Sequence, residues 1–275
     1  MPKYCLSLSG GKDSTALLLY ILDRGLPLDI VRFFDEEEWS FPGIREHVDK
    51  LEKYTGIPIE RVTGKHSLEW YFYNGNSKVS PTGKGYSWPT YCYRWCNSVK
   101  VDALQKGLEK GDFVYIGINY EERKRVNHES HHRKTCNLYP LVDAKFGEDD
   151  VRGLCASHGF TWDSMYLFFT RTSCFCCPLT PVPALRTLFR YFPEYWKKLI
   201  LMEARTYRTF KSHGMLRGLY TVYYYHTKFY NFFKEAGLSI PYESAEAIQC
   251  LDAPLTPVEK LPPYVVKTVP PLRSL

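Results

Sequence analysis

The chain has 275 residues, 44% of them hydrophobic and 24% charged, so it can bury one large core or a core with a smaller appendage. The apolar run over residues 16–22 is much shorter than the about 20 residues of a membrane span, and the polar interruption over residues 10–13 does not fit a signal peptide. We therefore expect a cytoplasmic protein that does not insert into membranes. The net charge is +6, and nine cysteines in such a protein favour metal or cluster ligation over disulfides.

The first half of the chain alternates predicted strands with predicted helices. Short apolar runs predict strands over 4–9, 30–34, 57–62 and 113–117. Helical spacing of apolar residues predicts helices from about Ser14, over 43–54 and over 99–108. This alternation predicts an α/β fold, with a Rossmann-like parallel sheet flanked by helices.

The C-terminal third is aromatic and basic. Helical spacing predicts helices over 193–210 and 219–233, and the prolines from residue 253 onward predict an extended tail. Between Arg186 and Lys234 the chain has ten Lys and Arg residues and two Glu residues. We expect three parts: an α/β domain over 1–180 that includes a cysteine cluster, a mostly helical region over 181–252, and the tail over 253–275.

The segment "SLSGGKDSTALLLYIL" joins the first predicted strand to the first predicted helix. Its turn contains two glycines, a lysine, an aspartate and two serines: Ser9, Gly10, Gly11, Lys12, Asp13 and Ser14. Backbone N–H groups at the start of a helix bind phosphate, and glycines let a ligand approach the backbone closely. Asp13 has a role in such a site if it orients the turn or helps to hold Mg²⁺ that bridges phosphates.

The string "SGGKDS" resembles the pyrophosphate-binding PP-loop of the ATP pyrophosphatase superfamily, and it matches neither the Walker A nor the G-x-G-x-x-G pattern. Four longer segments resemble the phosphoadenosine phosphosulfate (PAPS) reductase branch of that superfamily: "VRFFDEEEWSFPGIREHVDKLEKYTGIPIERV", "RWCNSVKVDAL", "YPLVDAKFGEDDVRGLCASHGF" and "LFFTRTSCFCCPL". Together they cover about residues 4–180. The resemblance implies that the protein binds ATP and cleaves it between the α- and β-phosphates.

The resemblance also implies a nucleotide site at the turn and at the ends of neighbouring strands. The expected nucleotide-binding residues are Ser7, Ser9, Gly10, Gly11, Lys12, Asp13, Ser14, Phe33, Asp35, Arg94, Lys100 and Gly117. Lys12 and Asp13 are also the expected catalytic residues. Structural roles compete with some of these functions: a core position for Phe33, a helix cap for Asp35, and solvated surface charges for Arg94 and Lys100.

Two cysteine pairs, Cys92-x₃-Cys96 and the C-x-x-C of Cys174 and Cys177, have the spacing of a metal site. Four thiolates from two such pairs hold either a tetrahedral Zn²⁺ or a [4Fe-4S] cluster, and spacing alone does not distinguish them. We expect these four as ligands, with Cys176 as an alternative ligand or a sulfur-handling thiol. The resemblance to cluster-bearing sulfonucleotide reductases favours the [4Fe-4S] cluster, and zinc or free thiols are the alternatives.

PAPS reductases carry a catalytic cysteine in a Glu-Cys-Gly-type motif near the C-terminus, whereas "VVKTVPPLRSL" contains none and Cys250 has different neighbours. We therefore predict an enzyme that uses ATP and Mg²⁺ to adenylate an acceptor and couples this step to sulfur transfer. Relatives that thiolate tRNA or DNA, together with the basic aromatic third, favour a nucleic-acid acceptor. A sulfonucleotide reductase and a non-catalytic nucleotide-binding protein are the alternatives, and the sequence is compatible with oligomers.

Overall fold

The computed structural model describes residues 1–41, 43–128, 135–167, 169, 171, 174–211 and 221–242. The chain forms two compact units, of which the first comprises Met1–Lys65 and Asn97–Cys174 and the second His66–Cys96 and Phe175–Leu275. The predicted boundaries after residues 180 and 252 remain predictions, and the predicted tail lies outside the described residues. No helix in the described ranges is long and apolar enough to cross a membrane.

The core of the first unit is a parallel sheet of five strands. They are Tyr4–Leu8 (β1), Ile30–Phe34 (β2), Ile59–Val62 (β3), Phe113–Ile116 (β4) and Cys136–Leu138 (β5). Their order across the sheet is β3-β2-β1-β4-β5, and every neighbouring pair is parallel. The predicted α/β fold with a Rossmann-like parallel sheet is therefore confirmed.

The α-helices follow the strands in the order expected for crossover connections. They are, along the described chain, Lys12–Asp23 (α1), Ile44–Thr55 (α2), Leu68–Asn74 (α3), Trp95–Leu104 (α4), Pro140–Asp143 (α5), Glu148–Ser157 (α6), Val182–Tyr191 (α7), Pro193–Ala204 (α8) and Val222–Glu235 (α9). Short 3₁₀ helices span Glu37–Trp39, Tyr120–His128 and Trp162–Leu167. The predicted helical C-terminal region is confirmed by α7, α8 and α9.

The central strand β1 marks the point at which the strand order of the sheet changes direction. Cys5, Leu6 and Leu8 are at most 1% exposed, as expected for a parallel strand with both faces covered. The strands β2 and β4 lie on opposite sides of β1, so the strand order reverses at its carboxyl end. Open α/β sheets bind ligands at such a reversal. The turn between β1 and α1 lies at this position.

Several predicted elements differ from the structure in their extent. The helix predicted over 99–108 begins at Trp95 and ends at Leu104, and the strand predicted from residue 57 begins at Ile59, directly after Pro58. In residues 74–90, a stretch without apolar periodicity, Asn76 and Lys84 form an antiparallel bridge. The strand β5 has only three residues and the bridge pairs single residues, so neither is long enough to produce a repeating apolar pattern.

Seven of the described aromatic residues of the C-terminal region are buried in the core of the second unit. The buried rings are those of Phe189, Trp196, Phe210, Tyr223, Tyr225, Phe229 and Phe233, whereas Tyr191 and Phe232 are exposed. Phe189 lies edge-on to Trp196, with 5.5 Å between their ring centroids, and the Trp196 indole N–H donates to Nδ1 of His226 at 3.0 Å. These seven rings are therefore core residues, and they are not available to stack on a nucleic acid.

A buried carboxylate holds two backbone segments of the second unit. Glu203, near the C-terminus of α8, accepts the N–H of Phe210 at 2.8 Å and the N–H of Val222 at 2.7 Å. Burial outweighs these hydrogen bonds and raises the pKa of Glu203 to about 7. The folded carboxyl group thus keeps its proton at pH values where the unfolded one has lost it.

We expect the Glu203 carboxyl group to make stability depend on pH. Because its pKa is about 7 in the folded chain and ordinarily 4.5, the free energy of unfolding should fall as pH rises from about 4.5 to about 7, by about 3 kcal/mol in total. Urea unfolding of the wild type and of Glu203→Gln across this range measures the effect, since groups common to both proteins cancel in the difference. Parallel pH dependences of the two proteins would contradict this expectation.

Candidate functional site

The turn between β1 and α1 is closed by its own serines. Ser14 Oγ accepts the N–H of Ser9 at 3.1 Å, lies 2.9 Å from Ser9 Oγ, and donates to the carbonyl oxygen of Gly11 at 3.0 Å. Gly11 precedes the first helical residue and makes no side-chain cap. The N–H groups of the first turn of α1 lack intrahelical acceptors, as at any helix start, so this turn has the geometry of an anion site.

Neighbouring elements hold the turn from outside. Gly10 has φ +72°, and a Cβ atom there would lie 2.9 Å from Cγ2 of Ile44, so only glycine fits. The Trp162 indole N–H donates to the carbonyl oxygen of Gly10 at 2.8 Å. The His47 ring stacks on Trp162 with 4.4 Å between centroids, and its Nε2 lies 2.9 Å from Oγ1 of Thr15. The helix α2 and the 3₁₀ helix at Trp162 thereby fix the backbone of the turn.

The end of β4 packs directly against the start of α1. A Cβ atom on Gly117 would lie 2.8 Å from both N and Cα of Ser14, which are backbone atoms that cannot move aside. Two residues later, the side-chain amide of Asn119 donates to Oδ1 of Asp13 at 2.8 Å. Gly117, a predicted site residue, therefore allows the close approach that brings Asn119 to the turn.

Lys12 is a buried cation between two carboxylates. It is 6% exposed, and its Nζ lies 2.7 Å from Oδ2 of Asp13 and 2.8 Å from Oε2 of Glu148, the first residue of α6. Arg152 also donates to Glu148, from Nε to Oε1 at 2.9 Å. Both carboxylates therefore lie within contact distance of one ammonium group.

Lys12 and Glu148 keep their charges although they are partly buried, because each is hydrogen-bonded to groups of opposite charge. Burial alone would lower the pKa of Lys12, but its hydrogen bonds to Asp13 and Glu148 outweigh that effect and raise the pKa above its ordinary value. Burial alone would likewise raise the pKa of Glu148, but hydrogen bonds from Lys12 and Arg152 lower it. Lys12 and Glu148 are therefore both charged at neutral pH.

The predicted residues on β1 and β2 lie near the turn in different environments. Ser7 is inside β1, opposite Arg32 and Ile116. Phe33 is 2% exposed, and its Cε2 would lie 3.6 Å from a Cβ atom on Gly10, so it packs beneath the turn. Asp35 follows β2, and its Oδ1 forms an ion pair with Nη2 of Arg45 at 2.9 Å. Phe33 thus occupies the core position that was its structural alternative.

The two remaining predicted anion contacts are in different units. Lys100, in the first unit, pairs with Glu36 and lies 3.5 Å from Sγ of Cys174. Arg94 belongs to the second unit, where it is exposed and its guanidinium lies 5.0 Å from the ring centroid of Tyr91. The structure therefore brings Lys100 to the predicted cysteine motif rather than to the turn.

None of the eight described cysteines forms a disulfide. Cys92 is exposed and precedes α4, so it does not share a helical face with Cys96 as a continuous helix would require. Cys176 is buried, and Cys177 follows it at intermediate exposure. In the described part of the chain, no three His, Cys, Asp or Glu side chains are placed to hold a metal. The set of Cys92, Cys96, Cys174 and Cys177, whose members are divided between the two units, remains a prediction.

Two other cysteines are inert core residues. Burial raises the pKa of the Cys5 thiol to about 11 and that of the Cys155 thiol to about 12. Cys155 donates its thiol hydrogen to the carbonyl oxygen of Lys12 at 3.5 Å, behind the turn. Both thiols stay protonated at neutral pH, as expected for buried apolar cysteines.

Sequence patterns missed four residues that contact the turn: Asn119, Glu148, Trp162 and Tyr166. The acidic run Glu148-Asp149-Asp150 indicates the first turn of a helix, where acidic residues are favourable. The run could have drawn attention to Glu148, whose side chain contacts Lys12. Trp162 and Tyr166 gave no signal, since their contacts join residues more than 150 positions apart.

The family model described as "Phosphoadenosine phosphosulfate reductase domain" matches residues 3–177. The chain belongs to this family. The match covers all five strands and ends at Cys177, so the phosphoadenosine phosphosulfate reductase domain of this protein includes both the turn and the second cysteine pair.

Two known proteins illustrate how far the similarity extends. An uncharacterised protein from Methanocaldococcus jannaschii is 26% identical in an alignment of 207 residues that covers 70% of this chain and 46% of that protein. The chain thus spans less than half of that relative. A solved structure, the U34-tRNA thiolase NcsA from Methanococcus maripaludis with its [4Fe-4S] cluster, is 20% identical with a TM-score of 0.35, covering 56% of this chain and 55% of that chain.

Replacing Gly117 by alanine should disrupt the site. The added methyl group would overlap the backbone of Ser14, so we expect Gly117→Ala to lower the free energy of unfolding by about 1–3 kcal/mol and to weaken the ATP binding that the sequence predicts. Gly153→Ala is the matched control, because nothing lies within 4 Å of that position in α6. The control should stabilise the protein by about 0.5–1 kcal/mol. Equal effects of the two substitutions in urea unfolding would contradict this account of Gly117.

The predicted cysteine ligands can be tested by metal content. The sequence predicts that protein purified without oxygen contains iron and acid-labile sulfide and absorbs visible light. Serine variants of Cys92, Cys96, Cys174 and Cys177 should each lose iron, whereas Cys5→Ser should retain it, because Cys5 is a core residue of the sheet. A colourless, iron-free protein with one zinc per chain would refute the cluster.

Proposed function

We propose that this protein binds ATP with Mg²⁺ at the turn over residues 9–14, adenylates an acceptor with release of pyrophosphate, and couples this step to sulfur transfer. The observation that carries the proposal is the Lys12 ammonium group between the carboxylates of Asp13 and Glu148 at the start of α1. Membership of the phosphoadenosine phosphosulfate reductase domain family supports it.

The start of α1 offers groups that bind phosphate. Its N–H groups and the positive end of the helix dipole favour an anion. Lys12 adds a full charge, which would stabilise the negative charge that develops on pyrophosphate as it leaves. In this proposal Lys12 exchanges its contacts with Asp13 and Glu148 for contacts with phosphate oxygens.

Asp13 and Glu148 fit a magnesium ion. Their oxygens lie 2.7 and 2.8 Å from one ammonium group, so one cation already contacts both. Mg²⁺ prefers oxygen ligands and binds through one or two carboxylates, phosphate oxygens and water. When bound, the ion would neutralise phosphate charge and orient the phosphates. Asn119 and Arg152 hold the two carboxylates in position by donating to Asp13 and Glu148.

The proposed reaction has two steps. An acceptor oxygen attacks the α-phosphorus, the bond between that phosphorus and the bridging oxygen breaks, and pyrophosphate leaves. A sulfur nucleophile then displaces AMP from the adenylated acceptor. The protein contributes to the first step mainly through positioning and charge, because the turn holds the phosphates of ATP in one geometry. No step in this scheme passes through a metal cluster.

A nucleic acid is the proposed acceptor. The chain has ten lysines and arginines between residues 186 and 234. Lys211 is buried and donates to the carbonyl oxygens of Pro178 and Thr180, and the others supply charge for phosphate contacts. The buried rings of α7–α9 do not stack on bases, but Tyr91 is 76% exposed and Tyr93 is 44% exposed. Tyr91 also stacks with Arg94, an arrangement that suits unpaired bases. We therefore propose that Tyr91 and Tyr93, rather than the buried aromatic residues of α7–α9, stack on bases.

Reduction of PAPS is the second candidate, favoured by the description of the family model. Such a reductase would release sulfite from PAPS in the presence of a thiol reductant and would not release pyrophosphate from ATP. Measuring both products with the same purified protein separates the two reactions. Binding of ATP or PAPS without either product would instead indicate a non-catalytic nucleotide-binding protein.

We expect release of pyrophosphate from ATP with Mg²⁺, and more of it when tRNA or single-stranded DNA is added. Lys12→Gln should reduce the rate by about 100-fold or more, the typical cost of losing one charged or polar group that stabilises the transition state. Lys50→Gln, which removes an exposed lysine from α2, is the control and should leave the rate unchanged. Pyrophosphate release that persists in Lys12→Gln would refute the role of the turn, and a rate insensitive to every nucleic acid would refute the acceptor.

A further inference from the structure

The first N–H of α1 has a protein acceptor at the place where the proposed function needs a phosphate oxygen. The Tyr166 hydroxyl oxygen accepts the backbone N–H of Lys12 at 2.8 Å. Lys12 is the first residue of α1, after the N-cap residue Gly11. Because one N–H points in one direction, a phosphate oxygen and the tyrosine hydroxyl compete for the same position.

Tyr166 belongs to the 3₁₀ helix Trp162–Leu167, which contacts the turn twice with opposite polarity. Trp162 donates its indole N–H to the carbonyl oxygen of Gly10, a contact that a phosphate oxygen cannot replace because both oxygens are acceptors. Tyr166 accepts from Lys12, a contact that a phosphate oxygen can replace. An arriving nucleotide therefore competes with Tyr166 and leaves the contact of Trp162 intact.

The surroundings of Tyr166 favour an anion over a neutral hydroxyl. Lys12 Nζ lies 5.8 Å and the Arg152 guanidinium 5.7 Å from the centroid of its ring, so both cations of the site border it. Hydrogen bonds to a charged acceptor are roughly twice as strong as those between neutral groups. A phosphate oxygen is thus the stronger acceptor at this position.

We propose that Tyr166 gates the phosphate site: its hydroxyl holds the Lys12 N–H when no nucleotide is bound and gives way to a phosphate oxygen. This inference rests on the proposed nucleotide function and adds to it a residue that sets the affinity for phosphate. The hydroxyl lowers that affinity, because its bond to Lys12 must break before the phosphate binds. Ligands without phosphate do not encounter this competition.

Tyr166→Phe tests the gate, since it removes the hydroxyl and keeps the ring, which lies edge-on to Trp162 with 5.1 Å between centroids. We expect calorimetry to show about fivefold tighter binding of ATP with Mg²⁺, and of pyrophosphate with Mg²⁺, as follows from losing one competing neutral hydrogen bond. Binding of adenosine should not change. Tyr54→Phe is the matched control, because it also removes a tyrosine hydroxyl that makes a hydrogen bond. Tyr54 lies on α2, and its hydroxyl lies 2.9 Å from Nδ1 of His158. This variant should bind ATP as the wild type does.

A second variant checks the polarity of the two contacts. Trp162→Phe removes the donor to Gly10, so it should bind ATP no more tightly than the wild type. Equal or weaker ATP binding by Tyr166→Phe, with a wild type that binds ATP, would overturn the gate and leave the proposed function intact. Tighter binding by both variants would also overturn it, because the effect would then come from loosening the 3₁₀ helix. Absence of ATP binding in wild type and variants would overturn both proposals.

Discussion

The contact on which the site depends is the ion pair of Lys12 with Asp13 and Glu148. A buried ammonium group is costly unless it is paired, and here the two carboxylates come from different helices, α1 and α6. The same contact therefore fixes the start of α1 against α6 and keeps Lys12 charged. In the proposed function, Lys12 and the two carboxylates exchange these contacts for phosphate and a divalent cation, so no unpaired charge is created.

The sheet topology explains why this ion pair lies where a nucleotide can reach it. The strand β1 lies between β2 and β4, so the turn after it opens at the reversal of strand order. The end of β4 approaches the turn closely because Gly117 has no side chain, and it brings Asn119 to Asp13. Trp162 and Tyr166 complete the surroundings of the turn, one as a donor and one as an acceptor.

In the second unit, some aromatic residues are buried in the core and others are exposed. Most rings of α7–α9 pack against each other, and the buried Glu203 ties the backbone around them. Tyr91 and Tyr93 remain exposed and lie beside Arg94, within the segment that also contains Cys92. Exposure, rather than aromatic content, therefore decides which residues of this unit suit contact with the proposed acceptor.

The sequence alone predicted β1, β2, β3 and β4, the parallel sheet and the position of the turn, because apolar periodicity and the "SGGKDS" string are local properties of the chain. It also located the two cysteine pairs, but it did not determine whether the two pairs converge on one metal site. Only the tertiary structure revealed Asn119, which reaches Asp13 across 106 positions, and Tyr166, which reaches Lys12 across 154. Such contacts leave no periodic trace in the sequence, because they arise where separate elements pack together. For the same reason, only packing showed that Phe33 lies beneath the turn and that Lys12 is held between two carboxylates.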